Sequence, residues 1–184
     1  MANWRNDDNL LVKFGTAKAV SSWGGEYMTM DSGMHNVEFD INLLDAGIST
    51  TDAIVPNTET VWIPGGVIIP RVEVIVTETI TGATANLDLG LIYYTAAGVL
   101  TELDYNGLLA VADFGDFGAI GDVHEYVQTG GTGSSATEVG ALVGTLLATT
   151  AEKYYFSCSE DTAAFTAGAL KVKVYYFHPT TIGL

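Results

Sequence analysis

Residues 62–94 read WIPGGVIIPRVEVIVTETITGATANLDLGLIYY, a stretch with neither histidine nor cysteine. Val72, Val74 and Val76 alternate with Arg71, Glu73 and Ile75, and Leu87, Leu89, Leu91 and Tyr93 alternate with Asn86, Asp88 and Gly90. A period of two is that of a β-strand, whose successive side chains point to opposite faces. One apolar face beside one wetter face is the pattern of an antiparallel sheet packed on a core. The intervening ITGAT is rich in turn residues, so the two runs are predicted to form a hairpin. Pro64 and Pro70 flank GGVII. Proline cannot donate to a strand ladder, which places the start of the valine strand near residue 70 rather than at Val61.

The same period recurs along the chain. VEFDINL sets Val37, Phe39, Ile41 and Leu43 against Glu38, Asp40 and Asn42, and LLVKF gives a shorter strand after a polar start. KYYFSCSE aligns Tyr154, Phe156 and Cys158, and ALKVKVYYF aligns Leu170, Val172, Val174 and Tyr176 inward with Lys171, Lys173 and Tyr175 outward. DVHEYVQT is a weaker strand with Val123, Glu125 and Val127 opposite His124 and Tyr126. ALVGTLLATT, residues 141–150, fits a helix or a strand equally. About eight strands separated by Gly, Thr, Asn and Asp loops, with no interleaved amphipathic helices and no fixed repeat, predict an all-β, single-domain β-sandwich of jelly-roll type. Residues 1–9 are expected to be a flexible N-terminal arm and residues 10–184 the sandwich.

The chain has 184 residues, 48% of them hydrophobic, which is enough for one domain with a sizeable core. Twenty-two acids against seven bases give a net charge of −15. That balance disfavours binding to nucleic-acid phosphates and to anionic membrane surfaces, and no apolar run approaches the roughly 20 residues of a membrane span. The start MANWRNDDN is polar and acidic where a secretory signal would be basic and then apolar, so synthesis in a cytoplasm is expected. Cys158 is the only cysteine, which precludes an internal disulfide and fits a buried structural thiol.

Sites of catalysis are hard to compose from these residues. There is no Gly-x-Ser-x-Gly elbow, and Asp31, Ser32 and His35 in MDSGMH are too close in sequence to converge as a triad. His35, His124 and His178 lack zinc-site spacing and read as ordinary, partly exposed histidines. FGDFGAIGD and TGGTGSSATEVG lack the lysine of a phosphate loop. Asp113, Asp116 and Asp122 match no established calcium loop, although carboxylates in a loop are the ligands calcium takes. No catalytic residue, metal site or cofactor is predicted. Of each adjacent tyrosine pair, 93/94, 154/155 and 175/176, one ring should face the core and one the outside.

Four segments carry a resemblance: RNDDNLLVKFGTAKAV near the start, WIPGGVIIPRVEVIVTETITGATANLDLGL in the middle, ELDYNGLLA after it and AFTAGALKVKVYYFHP at the end. The Ile-Pro-Gly opening, valine strand, Thr-Gly-Ala turn and Asp-Leu-Gly-Leu strand resemble the capsid decoration or cement proteins of tailed, podovirus-like bacteriophages. Residues 20–36 and 113–140 show no such likeness. The resemblance implies a jelly-roll-like module on the outside of an icosahedral shell, commonly trimeric, that bridges major capsid proteins without catalysis. Expected contacts are Trp4, Arg5, Leu10 and Leu11 of the arm, together with Tyr105 and Asn106 of the segment ELDYNGLL. Two other readings compete. One is a tail or head-fibre module that binds a host-surface glycan, with Trp23 in SSWGGEY as its platform. The other is a carbohydrate-active enzyme using two acids across a cleft.

Overall fold

The computed structural model describes residues 2–5, 11–14, 34–44, 60–82, 86–113, 119–128, 137–161 and 163–179. The chain divides into two compact units, residues 1–35 and 36–184. In the first, β1 (Ala2–Arg5) pairs antiparallel with β2 (Leu11–Phe14), with Trp4 opposite Val12 and Arg5 opposite Leu11.

The second unit is all β. Its strands are β3 (His35–Asn42), β4 (Trp62–Pro64), β5 (Ile68–Thr81), β6 (Asn86–Tyr94), β7 (Leu100–Asp113), β8 (Val123–Val127), β9 (Lys153–Asp161) and β10 (Ala167–Phe177). They form two four-stranded sheets, in the orders β3-β10-β5-β8 and β4-β9-β6-β7. Within each sheet the order is that of a jelly roll: the first, last, third and sixth strands in one layer, the second, seventh, fourth and fifth in the other. No described segment is a helix, and none can cross a membrane as one.

The expected alternation builds the core. Phe39, Ile41, Val72, Val74, Val76, Leu170, Val172 and Val174 come from one sheet, and Ile63, Leu87, Leu89, Leu91, Tyr154, Phe156 and Cys158 from the other, all buried in one cluster. Phe39 stacks on Phe156 with ring centroids 4.5 Å apart, joining the layers. Burying such side chains is worth about 1.5–3 kcal/mol each, which is what holds two sheets face to face. Cys158 is buried and free.

Three expectations are corrected by this architecture. First, β5 and β6 are not a hairpin: β5 pairs with β10 and β8, and β6 with β7 and β9. The two apolar faces meet across the sandwich, so the chain crosses from one layer to the other between them. Second, β5 begins at Ile68, near residue 70 as expected, but Pro70 lies inside the strand and not ahead of it. The register shifts between Tyr175 and Phe177 opposite it, and a bulge is where a ladder tolerates a residue without an N–H. Third, the outer face of β6 is not wet throughout, since Asp88 and Ile92 are buried as well as the leucines.

The last point follows from β7. Leu91 pairs with Asp104 while Leu89 pairs with Leu109, so residues 105–108 form a bulge. A Cβ at Gly90 would collide with the carbonyl of Asp104 and the carbonyl group of Tyr105, which places the bulge directly on the β6 backbone. Residues 141–150, which fit helix or strand equally in sequence, are neither helix nor regular strand, and they continue a segment that begins at residue 137. Residues 137–147 run as a strap along β7 and on to the start of β5, through Ala110 N–H to Glu138 C=O (2.9 Å), Leu142 N–H to Gly107 C=O (2.7 Å), Gly144 N–H to Ile69 C=O (2.7 Å) and Leu147 N–H to Val67 C=O (2.8 Å). An outer strand that would otherwise expose its hydrogen-bonding groups is thereby covered.

Gly90→Ala should therefore lower the urea midpoint without changing the slope, a loss of about 3 kcal/mol at the upper end of overpacking costs because the neighbours are backbone. Gly98 has φ of 74° with open space around it, so Gly98→Ala is expected to cost only about 1 kcal/mol of backbone strain. Equal costs for the two would mean that the bulge does not rest on Gly90.

Candidate binding surface

The two outer faces of the sandwich differ in chemistry. On the β3-β10-β5-β8 sheet, Lys171 Nζ lies 3.0 Å from Asp40 and Lys173 Nζ 3.6 Å from Glu38, while Arg71 pairs with Glu125 at 3.0 Å. The Arg71 guanidinium also lies over the Tyr175 ring at 3.9 Å, and the Tyr175 hydroxyl donates to Glu73 at 3.3 Å. Each pair joins neighbouring strands of the sheet, and Arg71 reaches Glu125 diagonally, since Val127 is its ladder partner. Hydrogen bonding to Asp40, with its negative charge, raises the Lys171 pKa. The result is a hydrated, internally neutralised surface.

The β4-β9-β6-β7 sheet presents rings instead. Trp62 stands opposite Tyr155, and Tyr94 meets Tyr155 edge-on at 5.7 Å. Lys153 Nζ lies 4.7 Å from the Trp62 ring centroid. Trp62 and Tyr94 are 38% and 40% exposed. Their neighbours in sequence turn inward: Tyr154 is fully buried, and Tyr93 packs on the core and meets Tyr154 edge-on at 5.7 Å. The inside-outside division expected of the tyrosine pairs holds for all three, with Tyr176 packed on the core and Tyr175 outward.

Tyr105 and Asn106 sit in the β7 bulge on this same sheet. The Asp104 carboxylate accepts from Asn106 N–H at 3.3 Å, and Glu102 accepts from Tyr105 N–H at 3.2 Å, so two acids fix the bulge backbone. Trp4, Arg5 and Leu11 lie on the β1-β2 pair, while Leu10 falls outside the described residues, as do Trp23, Asp31, Ser32 and Asp116. The structure thus groups Tyr105 with Asn106, and Trp4 and Arg5 with Leu11. The aromatic row was missed in sequence, because Pro64 and Pro70 placed the strand start after Trp62.

The polar candidates resolve individually. Asp122 accepts from Ala119 N–H at 3.0 Å, closing a local turn, and among the described residues no group of His, Cys, Asp or Glu could hold a metal ion. His124, expected to be partly exposed, is buried and stacked on Tyr126 with centroids 6.5 Å apart, because the inward face of β8 is the one that carries them. Burial, with the charge of Glu138 adding, pushes the Tyr126 phenol far above its ordinary value.

No family model matches the sequence, and no curated protein does. Two solved structures are similar in shape. The capsid of Ralstonia phage GP4 gives a TM-score of 0.47 at 19% identity, covering 80% of this chain and 86% of that chain. The capsid asymmetric unit of cyanophage Pam1 gives 0.41 at 15% identity, covering 79% and 85%. With both scores below one half, the likeness carries neither a fold nor a role across to this chain.

The Tyr126 environment has a measurable consequence. An unfolded tyrosine ionises near pH 10, whereas the folded chain keeps this phenol neutral, so its contribution is intact below about pH 10 and is lost as the pH rises toward the raised folded value. Urea unfolding between pH 8 and 11 should show stability falling above pH 10, and Tyr126→Phe should flatten that fall.

Proposed function

We propose that the chain is a structural protein of a bacteriophage virion that decorates the outside of the capsid and stabilises the shell by bridging major capsid proteins. The observation that carries this reading is where the decoration-protein resemblance falls. Its four segments supply β2, then β4, β5, most of β6, the bulged part of β7, and β10, so they contribute strands to both layers of the sandwich. A likeness confined to one hairpin would say little; this one follows the framework.

The charge agrees with an exterior position. Residues 36–184 hold 18 of the 22 acids and 4 of the 7 bases, a balance that would be repelled by packaged DNA and that gives no footing for direct nucleic-acid or membrane binding. The partner is the major capsid protein, and the working unit is a homotrimer assembled in the host cytoplasm. Modest contacts repeated by three subunits are strengthened by effective concentration. Trp4, Arg5, Leu10 and Leu11 of the N-terminal segment and Tyr105 and Asn106 of the bulge are the contact residues. Aromatic and arginine side chains supply most of the energy in such interfaces. No catalytic step and no cofactor enter this role.

Densitometry of purified particles is expected to give hundreds of copies per virion; a handful would indicate a tail component instead. Deleting residues 1–9 should reduce occupancy on capsids by at least tenfold while leaving the thermal transition of the compact 36–184 unit in place. Full occupancy by the truncated chain would remove the N-terminal segment from the contact.

A further inference from the structure

On the β4-β9-β6-β7 sheet, Leu87, Leu89 and Leu91 of β6 and Tyr154, Phe156 and Cys158 of β9 point into the core. Strand alternation therefore sends Asp88, Gly90, Ser157 and Ser159 to the opposite face of the same sheet. The ladder sets Ser159 against Asp88 and Ser157 against Gly90. An outer face would ordinarily be wet, yet Asp88 is 2% exposed and the two serines 3% each. Ser157 Oγ is buried with no hydrogen-bond partner. A hydroxyl taken out of water in that way forfeits the bonds it made there, which singles it out among the buried polar groups.

The β7 bulge supplies further oxygens beside it. A Cβ on Gly90 would run into the carbonyl oxygens of both Asp104 and Tyr105, so the two converge on one point over Gly90, next to Ser157 on the ladder. Opposed residues on neighbouring strands have Cβ atoms about 4.5–5.5 Å apart. That is about the span between oxygens on opposite sides of an ion bound at roughly 2.3–2.6 Å. Two carbonyl oxygens, two hydroxyls and the two oxygens of one carboxylate thus border one buried position. None of these donors is nitrogen or sulfur. Only one residue is an acid, which separates this set from the groups of His, Cys, Asp and Glu that are missing among the described residues.

We propose that this position under the β7 bulge binds a calcium ion, held by Asp88, Ser157, Ser159 and the carbonyls of Asp104 and Tyr105. Calcium takes about six to eight oxygen ligands in a flexible arrangement, which suits donors drawn from three strands. Magnesium requires a near-octahedral shell and keeps several waters, for which a position beneath a backbone bulge has little room. A water molecule would bring two protons to a set in which the carbonyl and carboxylate oxygens can only accept. The surrounding domain, with 18 acids and 4 bases in residues 36–184, draws cations toward it. With one carboxylate among the ligands the affinity is modest, with Kd on the order of 0.1–1 mM. The ion ties β6 and β9 to the bulge, adding to the brace that the Glu102 and Asp104 carboxylates give the Tyr105 and Asn106 N–H groups. The site concerns what holds the bulge down, so it stands whether or not that bulge meets a capsid protein.

The test is thermal unfolding of the full chain, stripped with EDTA and then held in about 10 mM CaCl2, the same concentration of MgCl2, or NaCl of matched ionic strength. Calcium is expected to raise Tm by about 3–10 °C over the matched NaCl, the shift given by a ligand at about 10 to 100 times its Kd. Magnesium should raise it by less than half as much. Asp88→Asn should remove the calcium shift. Ser157→Ala should leave Tm in EDTA unchanged or higher, because the hydroxyl it deletes has no partner, and should at least halve the calcium shift. That second variant is decisive if Asp88→Asn fails to fold. Equal Tm in calcium and in NaCl overturns the proposal and leaves the hydroxyl to a buried water. A calcium shift that survives either substitution in a folded variant also overturns it, as diffuse binding to the other acids, and an equal rise in magnesium overturns the assignment to calcium.

Discussion

Removing two apolar sheet faces from water at the same time is the constraint on which the rest of the structure depends. Neither β5 nor β6 can bury its valines or leucines within its own sheet, because alternation sends them all to one side. They are satisfied only by the opposite layer, and the Phe39–Phe156 stack at 4.5 Å marks how closely the layers approach. With inner faces committed in this way, every strand's outer face is fixed too. The charged ladder of Lys171, Lys173 and Arg71 and the ring row of Trp62, Tyr155 and Tyr94 are both consequences of which residues were required inside.

The inner faces were legible in the sequence because they depend on a local period. Val72, Val74 and Val76, Tyr154 and Phe156, and Leu170 to Tyr176 all point as their spacing predicts. Lateral order was not legible, and the mistaken hairpin shows why. A turn-rich linker brings two strands close, but whether they pair edge to edge or face each other across the core depends on where β10 and β9 insert, with ladder partners 63 to 109 residues apart in the chain. Asp88 was unreadable for a similar reason: its burial depends on what covers the outer face, including the β7 bulge over Gly90, and not on its own neighbours in sequence.

The candidate surface divides along the same line. That one tyrosine of each pair would emerge was readable from alternation, but which emergent rings would gather was not. Trp62, Tyr94 and Tyr155 are brought together only by the order β4-β9-β6. Pro64 made β4 look like a connection, yet three residues suffice for Trp62 to enter the ladder opposite Tyr155. Tyr105 and Asn106 were expected only as contact residues of ELDYNGLL, and the structure places them in a bulge held by the Asp104 and Glu102 carboxylates and the strap of residues 137–147.

The two outer faces imply a division of labour that charge alone would not reveal. A surface whose cations are already paired offers a partner little, because each new contact must displace an existing ion pair worth about as much. The face of paired Lys171, Lys173 and Arg71 is therefore suited to remaining hydrated. A face with rigid, half-exposed rings loses little conformational entropy on contact and has apolar area still to bury. In a domain with 18 acids, the carboxylates keep copies soluble and apart, and specific attraction has to come from short-range features that act inside the screening length. Trp62, Tyr155 and Tyr94 with Lys153, and the braced bulge at Tyr105, are features of that kind, and the strand order collects them on one sheet.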